Sequence, residues 1–131
     1  IIEAEHYSSI SITESIGTDN WVNGPRVRLT TESPNKSLEL YNFLPGQWVE
    51  YQVEIDRNKE FDLEIRYASF MDSDISIEID GIPETAFLLQ STVEEFIWNS
   101  AIIPVNLKKG KQTIRIKLDA GTFCMNWLRL N

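Results

Sequence analysis

The 131 residues suffice for one domain that buries its own core without requiring disulfides or metals. With 12 basic and 20 acidic residues the net charge is −8, and the acids are spread along the chain rather than gathered in a tail. That balance argues against nucleic acid and anionic membranes, which need a positive footprint, and disfavours sulfated or carboxylated polymers. The lone Cys124 cannot close an internal disulfide, and no apolar run reaches the ~18 residues of a transmembrane helix.

In chain order, the opening Ile1-Ile2-Glu3-Ala4-Glu5 is strand-like, and residues 8–13 predict a short strand ending near Glu14. Residues 17–25 read as a loop carrying Trp21 among Asn20, Asn23 and Gly24. Residues 26–31 alternate weakly, turn residues follow through Lys36, and 38–43 predict a short apolar strand. Pro45-Gly46 supplies a turn, and from Trp48 the chain alternates strictly. Val49, Tyr51 and Val53 take the core side, leaving Trp48, Glu50, Gln52 and Glu54 on the other. An indole among hydrophilic residues has two readings. Either a neighbouring segment covers it, or it is a flat platform for a ligand such as a pyranose ring.

Phe61, Leu63, Ile65 and Tyr67 alternate with acids and Arg66 as a half-buried strand, and a turn follows at 71–74. Ile75, Ile77 and Ile79 form the next strand, closed by the hairpin signal Asp80-Gly81. Residues 86–89 predict a short strand, 92–96 a loop and 98–107 a strand. After the tight turn at 108–111, Ile114, Ile116 and Leu118 alternate with Thr113, Arg115 and Lys117, and a last strand runs from about Phe123 to Leu130. No helical period is sustained. Eight to ten short antiparallel strands predict an all-β fold, a β-sandwich of jelly-roll type. If the central strands share a sheet, one face collects Trp48, Glu50, Gln52, Glu64, Arg66, Ser76, Glu78, Thr113, Arg115 and Lys117. Most such faces are solvated charge pairs; Trp48 among them fits sugar binding.

Catalytic signals are sparse. The only histidine, His6, sits near the terminus, no Cys/His spacing suits zinc, and no glycine-rich phosphate loop is present. A carboxylate pair such as Glu78 with Glu14 has the chemistry of glycoside hydrolysis, but a sandwich with short loops offers little enclosure for it. The chain reads as a non-enzyme.

Several stretches together resemble a family 6 carbohydrate-binding module. They are Ile2-Glu3-Ala4-Glu5, Gly46-Gln47-Trp48-Val49-Glu50-Tyr51 (Gln47 in place of the usual aspartate), Leu63 through Ser69, Trp98, Val105 through Gly110, and Met125-Asn126-Trp127-Leu128. Their order and spacing carry the resemblance over nearly the whole chain. It implies a single non-catalytic module over 1–131, excised from a larger modular glycoside hydrolase that is secreted or held at the cell surface. A monomer is expected, tethered to its catalytic domain and binding polysaccharide or oligosaccharide.

The resemblance implies two binding surfaces. On the concave sheet face, Trp48 matches the family's tryptophan, Glu14 and Glu78 match acids that line it, and Arg115 extends it from a neighbouring strand. A β-glucan, β-1,3- or mixed-linkage and laminarin-like, is the first expected ligand. At the loop edge the family's first aromatic falls on Asn42, or on Tyr41 after a one-residue shift. The second falls on Glu95 beside Phe96, and an asparagine is replaced by Cys124, while Trp21 can supply another platform. Loop-edge binding of a xylan- or agarose-type glycan is one alternative; a structural or interaction sandwich without glycan binding is the other. A structural Ca2+ is also implied, with Glu3, Glu5 and Asn126 as side-chain ligands and a loop carbonyl near Lys36.

Overall fold

The structure is a computed structural model that describes residues 1–11, 25–32 and 38–131. Glu14, Trp21 and Lys36 therefore lie outside the described residues. Eleven strands are present among those described: β1 (Ile2–Glu3), β2 (Ser9–Ile10), β3 (Arg26–Leu29), β4 (Leu38–Tyr41), β5 (Trp48–Ile55), β6 (Lys59–Ala68), β7 (Ser73–Ile79), β8 (Ile82–Leu89), β9 (Asn99–Leu107), β10 (Gly110–Ala120) and β11 (Cys124–Leu130). They form two antiparallel sheets, β3-β4-β11-β6-β9 with β1 added on β11, and β2-β5-β10-β7-β8. The expected sandwich is the observed one.

Period-two alternation explains how the sheets meet. Val49 and Tyr51 of β5, Ile114, Ile116 and Leu118 of β10, and Ile75 and Ile77 of β7 are buried against Leu63 and Ile65 of β6, Ile103 and Val105 of β9, and Leu128 of β11. Each such side chain contributes about 1.5–3 kcal/mol by leaving water. The opposite face of β5, β10 and β7 is thereby pushed outward as one continuous polar surface.

Turn chemistry sets the strand ends. Asp80 and Gly81 both have positive φ (52° and 79°), as a two-residue type I′ hairpin requires. β8 consequently starts at Ile82, four residues before the expected start at 86. At Pro45-Gly46 the turn closes with Gln47 N–H donating to the Leu44 carbonyl (3.0 Å), and the Gln47 side chain accepts from Leu44 N–H (2.8 Å). A glutamine in the usual aspartate position still locks the entry to β5.

One expectation fails. Glu64 and Arg66 do not join the Trp48 face, because β6 pairs with β9 and β11 in the opposite sheet. Glu64 binds Arg129 there and Arg66 binds Glu32. Alternation reveals which residues share a face of one strand, but not which sheet the strand enters.

Gly121 sits at φ +92°, and a Cβ added there would lie 2.4 Å from Ser73 Oγ and 2.8 Å from the Asp72 carbonyl oxygen. Gly81, at φ +79°, has nothing within 4 Å of such an atom. Gly81→Ala is therefore expected to lose about 1–2 kcal/mol from left-handed strain alone. Gly121→Ala should lose about 3 kcal/mol or more, since overlap adds to the strain. Urea denaturation of the two variants checks the difference; equal losses would contradict the packing argument.

Candidate functional site

On the outer face of the five-stranded sheet, register decides what meets. Arg115 of β10 lies opposite Glu50 of β5 on one side and Glu78 of β7 on the other, so the three side chains form one cross-strand row. Trp48 pairs with Lys117 in the next row, two residues along β10 from Arg115 and diagonally within reach of it. The Arg115 guanidinium stands 3.8 Å from the centre of the Trp48 ring. Glu50 Oε1 accepts from Arg115 Nε at 2.7 Å and from Nη2 at 2.5 Å, while Glu78 Oε2 lies 3.7 Å from Nε.

Trp48, Glu78 and Arg115 are thus brought together as expected, and Trp48 is half-buried rather than bare. Of the two readings of its indole, the covering one holds in part: Arg115 of a neighbouring strand lies over the ring, and that cover is itself polar. Cation–π contact of this kind is worth about 0.5–1 kcal/mol at exposed sites. Chemically the cluster offers an aromatic surface, two acceptor carboxylates and a donor fork, the groups a hydroxylated ring engages. Glu50 is the member that sequence reading left unassigned. It lay on the same face, but nothing in the pattern of β5 shows that β10 will set Arg115 opposite it.

The loop edge is built differently. Arg28 of β3 lies 4.4 Å from the centre of the Tyr41 ring and bonds Glu39 Oε1 through Nε at 2.8 Å. Its Nη2 reaches Cys124 Sγ at 3.5 Å and Glu95 Oε2 at 3.6 Å. Glu39 is fully buried, its Oε2 has no hydrogen-bond partner, and burial raises its carboxyl pKa despite Arg28. Asn42 is exposed and left-handed (φ 63°), and Phe96 is 60% exposed. A cleft of about 290 Å³ lined by Arg28, Leu29, Thr31, Glu95 and Phe96 adjoins them. Arg28 therefore links Tyr41 and the Phe96 cleft, and it contacts Cys124, the residue that stands where the resemblance would place an asparagine. No sequence motif marks Arg28 or Glu39; only the β3–β4 register, with Arg28 opposite Glu39, does so.

At the chain's start, β1 lies antiparallel on β11 with Glu3 opposite Trp127, and Ala4 N–H donates to the Asn126 carbonyl (2.9 Å). Buried Ala4 is also held by Tyr51, whose hydroxyl donates to the Ala4 carbonyl at 2.6 Å. Burial first, and then Glu5, drive the Tyr51 pKa well above its usual value. Glu3 and Glu5 flank Ala4, and each has a buried Oε2 without a hydrogen-bond partner. Asn126 is fully buried and is the extra residue of a register break between Met125 and Trp127, a bulge of the kind that re-aims a side chain. Two partnerless carboxylate oxygens on one short segment are costly unless a cation or a donor meets them. Among the described residues no three His, Cys, Asp or Glu side chains gather for a metal. Two carboxylates with a neutral amide oxygen such as that of Asn126 are donors of the kind that suits a hard cation.

Comparison with known proteins places these features in context. The model of the carbohydrate binding module (family 6) matches residues 3–131. No curated protein matches the chain. Among solved structures, a family 6 module of lichenase 5A from Cellvibrio mixtus, in complex with cellotriose, superposes with a TM-score of 0.82 at 24% identity, covering 99% of this chain and 94% of that one. A β-1,3-glucan-binding family 6 module from Bacillus halodurans gives 0.80 at 18% identity, covering 99% and 93%. The chain also superposes on 26% of an arabinoxylan arabinofuranohydrolase from Bacillus subtilis (TM-score 0.78, 13% identity, 99% of this chain).

Cys124 is buried and its thiol pKa is pushed up to about 12, by desolvation first and then by Glu39 and Glu95. Since the thiolate is the reactive form, the native protein should leave an aromatic disulfide reagent unreacted at pH 8. One thiol should titrate after unfolding in guanidinium. Rapid native reaction would show that the Arg28–Glu39–Cys124 packing is wrong.

Proposed function

From the chain's membership of carbohydrate-binding module family 6, a family of non-catalytic binding modules, we propose that it holds a β-glucan on the outer face of the five-stranded sheet. The observation that carries this reading is the Trp48–Arg115–Glu50–Glu78 cluster. A glucan ring stacks its C–H face on the part of the indole that Arg115 leaves open, while the guanidinium and the two carboxylates exchange hydrogen bonds with its hydroxyls. A β-1,3- or mixed-linkage, laminarin-like polymer is the ligand class; the Bacillus halodurans module binds β-1,3-glucan, and the Cellvibrio module is seen with cellotriose, a β-1,4-linked glucose trimer. In its parent protein the module keeps an appended glycoside hydrolase on its polysaccharide, outside the cell or on its surface. The loop edge is a second reading, favoured by the exposed Phe96 beside its cleft.

The structure-stabilising ion of this proposal is Ca2+, held by Asn126 together with Glu3 and Glu5, and it would satisfy the partnerless carboxylate oxygens of the two glutamates. Bound there, the cation neutralises the two acids and pins β1 to β11.

Two measurements test these readings. Isothermal titration with laminarin and mixed-linkage glucan should show Trp48→Ala weakening binding at least tenfold, about 1.4 kcal/mol, with the circular dichroism spectrum retained and Phe96→Ala unaffected. The reverse pattern would move the ligand to the loop edge. For the ion, adding Ca2+ at a hundredfold its Kd should stabilise the EDTA-treated protein by about 2.7 kcal/mol. Glu3→Gln with Glu5→Gln should abolish that gain, and an unchanged melting temperature in wild type would remove the ion from the account.

A further inference from the structure

Resting on the calcium reading above, we propose that Glu32, itself gripped by Arg66, is a positioning residue for that seat. It fixes the Asn126 amide so that Oδ1 is the oxygen offered beside Glu3 and Glu5. Glu32 Oε1 accepts from Asn126 Nδ2 at 2.7 Å. An ionised carboxylate only accepts, so the amide nitrogen must face Glu32, and Oδ1 is turned to the opposite side. Glu32 cannot rotate away easily: its Oε2 takes both Nε and Nη2 of Arg66 at 2.6 Å, and Arg66 Nη1 in turn donates to Ser100 Oγ at 3.3 Å.

The backbone that carries Glu32 is anchored as well. Glu32 N–H donates to Thr30 Oγ1 (3.1 Å), and Trp98 Nε1 donates to Thr31 Oγ1 (3.1 Å). On the other side of Asn126 the bulge is tied to Ala4, which Glu3 and Glu5 flank. The relay therefore runs from Ser100 and Arg66 on β9 and β6, through Glu32, to the residue at which the β11–β6 register shifts. Outer partners that orient a ligand in this way typically alter metal affinity by 10- to 100-fold when removed.

The decisive variant is Glu32→Gln, which keeps shape but places an amide where one oxygen must serve Asn126 and the other Arg66. Calcium affinity is read by isothermal titration and by the Ca2+-induced rise in melting temperature, each against the EDTA-treated protein. Affinity should fall at least tenfold. Glu64→Gln breaks a comparable pair, Arg129–Glu64, on the same sheet and should leave calcium affinity unchanged. Should Glu32→Gln fail to fold, Arg66→Lys keeps the charge but loses the two-nitrogen grip, and should weaken binding in the same direction. Wild-type affinity in Glu32→Gln, or an equal loss in Glu64→Gln, overturns the positioning role while leaving the seat itself intact. A wild type that takes up no calcium removes both.

Discussion

A guanidinium drawn out of water must meet a carboxylate at hydrogen-bonding distance, and this sandwich is organised around that requirement. Arg28 with Glu39, Arg66 with Glu32, Arg115 with Glu50 and Arg129 with Glu64 each bring N and O to 2.8 Å or closer. Three of these arginines also stand over an aromatic ring: Tyr41, Trp48 and Trp127. The planar, always-charged fork explains the preference, since it can bond a carboxylate edge-on while its face rests on a ring. Lysine could not do both.

These pairs give the two sheets different work. On the five-stranded sheet, a guanidinium bonded by Glu50 and flanked by Glu78 lies over the Trp48 ring, and the two acids outnumber the one arginine. On the six-stranded sheet, Arg66 and Glu32 act on a buried amide rather than on solvent. At its edge, Arg28 reaches Tyr41, Glu39, Cys124 and Glu95 together, so the polar groups there are engaged with one another. Acid partners do not all respond alike. Hydrogen bonds from Arg129 first, against a smaller desolvation effect, hold the Glu64 carboxyl below its usual range, so its stabilising contribution is complete above the ordinary glutamate pKa and fades as pH falls through the lowered one. For Glu39 burial outweighs its arginine and the shift is upward, so the folded state favours its protonated form and loses stability as pH rises from the ordinary glutamate pKa towards the raised one.

The alternating stretches are where the sequence was most readable. β5, β7 and β10 place their apolar residues inward as period two dictates, and Asp80-Gly81 turns where a type I′ pair should. Trp48, Glu78 and Arg115 were therefore legible as outward-facing candidates, and strand register brought them into contact. Glu3, Glu5 and Asn126 were legible only through family likeness. The buried, partnerless oxygens of the two acids, and the bulge at Asn126, have no signature in a linear pattern.

By itself, the sequence determined the fold class, the inward and outward faces of the strands and the family, because these depend on side-chain period, turn chemistry and the order of short motifs. Tertiary structure alone decided that β6 belongs to the sheet opposite Trp48, and that Arg115 covers the indole and binds Glu50. It also decided that Arg28 stands over Tyr41 and reaches Cys124, and that Glu32 faces Asn126. The physical reason is common to all four. Each is a meeting of strands or segments far apart in the chain, set by which edges hydrogen-bond in which register, and local alternation carries no record of that choice.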